Sequence, residues 1–152
     1  MAYSTLDDLL EKISRDELIE LACDIRPDDY ETDEAYQEAV EQELQEKIAR
    51  AIEDADSEID SYCGERYSLP FSPVPTLIRK LSVDIAIYGL FARRQGAPED
   101  RKIRYDNAVK LLLKLAEGTL TLGASAPAET KSPRPQFAHP ARIFSRDKLK
   151  GF

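Results

Sequence analysis

The residues with most chemical potential in this chain are carboxylates. The stretch DIRPDDYETDEA, residues 24–35, gathers Asp24, Asp28, Asp29, Glu31 and Asp33 around the helix-breaking Pro27, which invites comparison with a calcium loop. Such a loop takes oxygen ligands from its first, third and fifth positions, a glycine at the sixth and a glutamate at the twelfth. Counted from Asp24, the third position is Arg26, the sixth Asp29 and the twelfth Ala35. Three requirements fail, so no metal site is expected. The single histidine, His139, lies between Ala138 and Pro140, where no base–nucleophile pair can be preorganised around it. Glycine-rich phosphate loops and HExxH are absent. Cys23 and Cys63 stand in no metal-binding spacing and read as small buried hydrophobes in a reducing compartment. The expectation is a protein without catalytic residues or cofactor, whose many carboxylates are solvated rather than engaged in acid–base work.

Helical elements must carry these residues. Thr5 with Asp8, and Ser14 with Glu17, place a hydroxyl three residues before a carboxylate, the pattern of a reciprocal helix-starting box. Two short helices are expected, over about 6–13 and 15–23. From Asp33 to Tyr62 there is neither glycine nor proline, and Tyr36, Val40, Leu44, Ile48, Ile52, Ala55, Ile59 and Tyr62 recur at three- and four-residue steps. This predicts one amphipathic helix about 45 Å long, with Glu38, Glu41, Glu46, Glu53, Asp56 and Asp60 turned away from its narrow apolar stripe. A helix from Pro75 to about Arg94 is apolar on most sides and is expected to be central and most buried. Asp84 in its middle is costly if unpaired; Arg66 is the expected partner, a solvent-facing carboxylate the other reading. A last helix runs from about Pro98 to Glu117 and is closed by Gly118.

Between the long helix and the central one lies SYCGERYSLPFSPVP, residues 61–75. An active-site loop and a rigid corner are the two readings, and the composition favours the corner. Gly64 is expected to end the long helix in a left-handed conformation. Pro70, Pro73 and Pro75 stiffen the connector, Pro75 suiting the first turn of the next helix, and Tyr62, Tyr67 and Phe71 pin the corner to the core.

The chain has 152 residues, enough for one helical domain with a modest core. No apolar run approaches the roughly 20 residues of a membrane span, and the N terminus has no signal-peptide pattern. Charge is unevenly distributed. Residues 1–60 hold 21 acidic and 5 basic side chains, a net of −16, and residues 61–152 hold 8 and 16, a net of +8. Simple nucleic-acid binding is disfavoured by the acidic total; either the blocks merely solvate the chain or they form two unlike faces. After residue 122 apolar periodicity stops, so the domain is set at 1–122 and an extended C-terminal tail at 123–152. The tail ends ARIFSRDKLKGF, where Ile143, Phe144, Leu149 and Phe152 alternate with Arg142, Arg146 and lysines. Apolar anchors on a tether suit a partner or a neighbouring subunit, and a frayed terminus is the alternative.

The run DADSEIDSYCGERYSLPFSPVPTLIRKLSVDIAIYGLF, residues 54–91, resembles the head–tail connector proteins of Mu-like bacteriophages. The resemblance rests on Glu58, Ile59 and Asp60; on Gly64, Arg66, Tyr67, Leu69 and Pro70; on Val74 and Pro75; and on Asp84, Ile85, Ala86 and Tyr88. FSRDKLKGF resembles the family's ending as well. Relatives often have a glycine-containing, calcium-loop-like segment where this chain has DIRPDDYETDEA, and Glu65 is inserted between the glycine and the arginine.

The resemblance implies a small all-α structural protein of the virion neck, made in the host cytoplasm. It would form a ring of about twelve copies under the portal protein and receive a tail-side connector or tail terminator protein. Double-stranded DNA would pass through without sequence-specific binding, and Asp28, Asp29, Glu31, Asp33, Glu38 and Glu41 are the residues expected to face that channel, since a basic lumen would retain DNA. Two rival readings are a cytosolic helical regulator or scaffold acting through its C-terminal tail, and a metal-dependent packaging enzyme needing Asp28 or Asp33.

Overall fold

A computed structural model describes residues 2–94 and 96–123. Five helices succeed one another: α1 (Leu6–Leu10), α2 (Arg15–Ala22), α3 (Asp33–Cys63), α4 (Thr76–Arg94) and α5 (Glu99–Glu117), with a 3-10 turn at Pro27–Asp29 between α2 and α3. The fold is a small all-α domain, as expected, and no helix among the described residues is long and apolar enough to cross a membrane.

Both expected N-terminal caps form. Thr5 and Asp8 make the full reciprocal box of α1, whereas Ser14 accepts only the Glu17 amide at the start of α2. The expected first helix is trimmed to five residues, and Ile13 is buried just beyond it. α3 is one uninterrupted helix of 31 residues, about 46 Å at 1.5 Å per residue. It buries Val40, Leu44, Ile48, Ile52, Ala55, Ile59 and Cys63, so the stripe ends on Cys63 while Tyr62 is half-buried.

α4 is the centre of the molecule. It packs on α3 and α5, touches α1 and α2, and buries nine side chains, among them Ile78, Leu81, Ile85, Ile87 and Phe91. Its hydrophobic breadth follows from having helices on several sides. α5 buries only Ala108, Leu112 and Leu115, which places it at the edge of the bundle.

The corner joins α3 to α4. Tyr67 and Phe71 are buried, with ring centroids 5.8 Å apart, and Phe71 also meets Tyr3 at 5.5 Å. Gly64 caps α3 with right-handed angles, φ −60° and ψ −26°, not the left-handed ones expected. A Cβ there would lie 3.1 Å from the Asp60 carbonyl oxygen, a tight contact that a small shift relieves, so this right-handed position does not by itself require glycine. Positive φ is found instead at Gly96, Gly118 and Gly123, and of these Gly118 caps α5, with φ +76°.

Candidate functional site

Tyr3 and Ser4 dive under α3 and are buried, and this builds a polar knot the sequence did not announce. The Tyr3 amide donates to Asp56 at 2.7 Å. Ser82 on α4 donates its hydroxyl to the other Asp56 oxygen at 2.7 Å, and the Ser4 and Ser82 hydroxyls lie 2.7 Å apart. The Tyr3 hydroxyl donates to Asp60 at 2.6 Å and accepts the Phe71 amide at 3.4 Å. One N-terminal dipeptide therefore ties α3, α4 and the corner together. Burial pushes the Asp56 carboxyl up, against the lowering by Ser82 and Tyr3, and burial and Asp60 raise the Tyr3 phenol.

Asp56 is therefore not on the solvent side with the other acids, where its charge would put it. It is buried because it falls four residues after Ile52 and three before Ile59, on the apolar stripe itself. That spacing was the available signal.

At the other end of α4, Arg93 and Arg94 gather around the end of α2. Arg93 donates to the carbonyls of Leu21 and Ala22 at 3.1 and 3.0 Å, and Arg94 donates to that of Cys23. Both arginines pair with Asp24, and Lys47 stands 4.0 Å from the same carboxylate. The last carbonyls of a helix lack internal partners, and cations there also meet the negative end of its dipole. Asp24, the first oxygen of the imagined calcium loop, is thus engaged by the protein's own cations. Among the described residues, no group of three or more histidine, cysteine, aspartate or glutamate side chains is arranged to hold a metal ion.

The expected Arg66–Asp84 pair does not form. The Arg66 guanidinium lies against Gly118, at the end of α5, because the corner aims it away from α4. Asp84 is half-buried; burial raises its carboxyl, and Lys80, Arg104, Lys12 and Arg101 pull it back down. Tyr88 stacks on Tyr105 of α5, centroids 4.2 Å apart and planes 13° from parallel. Tyr105 donates to Glu58 at 2.9 Å, and burial with that contact pushes its phenol up to about 12. Tyr67 is in the core, while Pro70 is exposed and Pro75 half-buried immediately before α4.

Of the expected channel-facing acids, Asp28, Asp29, Glu31, Asp33 and Glu38 are exposed. Glu41 is instead engaged by Gln45 and by Arg15 of α2, which lower its carboxyl. The tail residues Arg142, Ile143, Phe144, Arg146, Leu149 and Phe152 lie outside the described residues, as does His139. Cys23 and Cys63 are buried free thiols, and burial pushes Cys63 up to about 11.

Two grooves flank α3. One, about 470 Å³, runs from Gln45 to Asp60 beside Ala2, Leu6 and Pro70. The other, about 430 Å³, lies between α3 and the Tyr88–Tyr105 stack. The outward side of α3 carries Glu34, Glu38, Glu46, Glu53 and Asp54, all exposed, whereas α4 and α5 expose Arg79, Lys80, Lys102, Arg104, Lys110 and Lys114. The uneven charge of the sequence thus persists on the surface as an acidic excess along α3, where Arg50 is the exposed cation, and a smaller basic excess on α4 and α5, which also expose Glu99, Asp100, Asp106 and Glu117.

Comparison with known proteins bears on this arrangement. The family model described as "Bacteriophage Mu, Gp36" matches residues 3–139. A relative from Haemophilus influenzae, described as "Mu-like prophage FluMu protein gp36", is 32% identical over 108 residues, covering 70% of this chain and 75% of the relative. The matched span takes in the N-terminal knot, the corner and all five helices, and the chain belongs to the bacteriophage Mu Gp36 family.

Proposed function

We propose that this phage protein is a structural component of the virion, a head–tail connector that assembles as a ring beneath the portal and offers the tail its attachment site. The observation that carries the reading is the uneven surface charge, a strong acidic excess on α3 against a basic excess on α4 and α5. A closed ring made by rotation joins two different patches of each subunit, and opposite charge on the two patches steers and registers the contact. The rigid corner and buried knot support it further, since a ring subunit must hold its two patches at a fixed angle. Its partners are the portal protein, a tail-side connector or terminator, and further copies of itself, about twelve in the reading drawn from the resemblance. DNA passes through without specific binding, past exposed acids such as Asp28, Asp29, Glu31, Asp33 and Glu38. The protein acts without catalysis.

Light scattering on the purified chain, alone, mixed with the portal ring of the same genome and mixed with its tail-side proteins, tests this. The expected result is a monomer that becomes a high-mass assembly on the portal. A chain that ignores both the portal and the tail-side proteins would be a regulator or scaffold instead.

A further inference from the structure

We infer that the chain's own C-terminal segment, residues 142–152, docks in cis into the groove along α3 that ends at Pro70. The floor of that groove is apolar, with Leu6, Ile52 and the exposed Ala49. The charged side chains that line it are acidic: the exposed Glu53, with Asp56 and Asp60, which already accept from Tyr3 and Ser82, beneath. The segment is its chemical complement: four apolar anchors, Ile143, Phe144, Leu149 and Phe152, and four cations, Arg142, Arg146, Lys148 and Lys150, against one acid, Asp147. The second groove is a poorer match, because Lys47, Arg50 and Arg93 line it beside Asp54 and Glu58.

Length permits the contact. The described chain ends next to the corner, where Leu122 lies against Pro73–Leu77, and the same corner supplies Pro70 to the groove. Residues 124–141 can reach at most about 60 Å, longer than the groove. Gln45 to Asp60 covers about 22 Å of helix. A linked segment faces its own groove at an effective concentration on the order of millimolar, far above that of a second copy in dilute solution. The segment therefore covers apolar surface on the free chain and becomes available to another subunit only when displaced.

The test uses the full chain with Ser145→Cys carrying a nitroxide, the buried Cys23 and Cys63 being shielded from labelling. In nitrogen-15 spectra of the isolated chain, the amide peaks of Ala49, Glu53 and Ser57 should lose intensity equally at high and low protein concentration. The surface changes Ala49→Arg with Glu53→Lys should restore them, with unchanged peaks in α4 reporting an intact fold. Loss of intensity around Gly89, no loss anywhere, or loss only when labelled and isotope-enriched chains are mixed would each overturn docking in cis. No portal protein is present, so the outcome is independent of the ring test.

Discussion

Asp56 accepts the Tyr3 amide and the Ser82 hydroxyl in a site that disfavours its charge, so its contribution depends on pH. Its folded pKa lies above the ordinary 3.8, hence the folded chain binds more protons than the unfolded one between those values. Stability then rises as pH falls through the folded pKa towards 3.8. Asp56→Asn should flatten this part of the melting-temperature profile. Asp56→Ala, which leaves the buried Tyr3 amide without its acceptor and Ser82 with only the Ser4 hydroxyl, should cost roughly 1–3 kcal/mol in urea unfolding at neutral pH. Asp84 is raised as well but has no bound partner to strand. Asp84→Asn is therefore expected to leave the melting temperature at pH 7 unchanged or higher, where an Arg66 pair would have made it fall. Gly118 combines a positive φ with the Arg66 guanidinium where a Cβ would go. Gly118→Ala should cost about 1–2 kcal/mol, and adding Arg66→Ala should recover only the crowding part, which a double-mutant cycle separates from the backbone part.

Among the elements, the sequence marked helices more clearly than their junctions. The stripe from Val40 to Ile59 and the apolar α4 are periodic, and periodicity is a local property that any window of the chain displays. The partner of Arg66, the burial of Tyr3 and the two arginines on α2 depend on which helices meet. These contacts join residues 52 to 78 positions apart, beyond the reach of local pattern. Residue type also misled at Asp56, where the spacing was right and the charge argued for solvent. At Gly64 the helix end was correctly placed although the backbone there is right-handed and any residue can adopt it. The capping of α2 gives this scale its own prediction. Arg93→Ala should expose the last carbonyls of α2 and speed hydrogen exchange of its amides, with a loss of about 1–3 kcal/mol. Arg93→Lys should restore only part of it, because one ammonium cannot reproduce the guanidinium fork that reaches Leu21, Ala22 and Asp24.

For the whole molecule, the division of charge makes the proposed ring assembly a salt-dependent one. If acidic and basic flanks meet between subunits, added sodium chloride should slow ring formation on the portal, as screening shortens to about 8 Å at 0.15 M and about 3 Å at 1 M. The monomer's melting temperature should move far less over the same range, because its apolar interior does not depend on those long-range charges. Scattering and melting curves across one salt series compare the two. The knot at Tyr3 has a different consequence, for the order of events during synthesis. Its contacts with Asp56, Phe71 and, through Ser4, Ser82 bind residues 3 and 4 to segments made much later. The nascent chain cannot close this seam until α4 has left the ribosome, so Tyr3 and Ser4 must wait for their partners while α1, α2 and α3 are made.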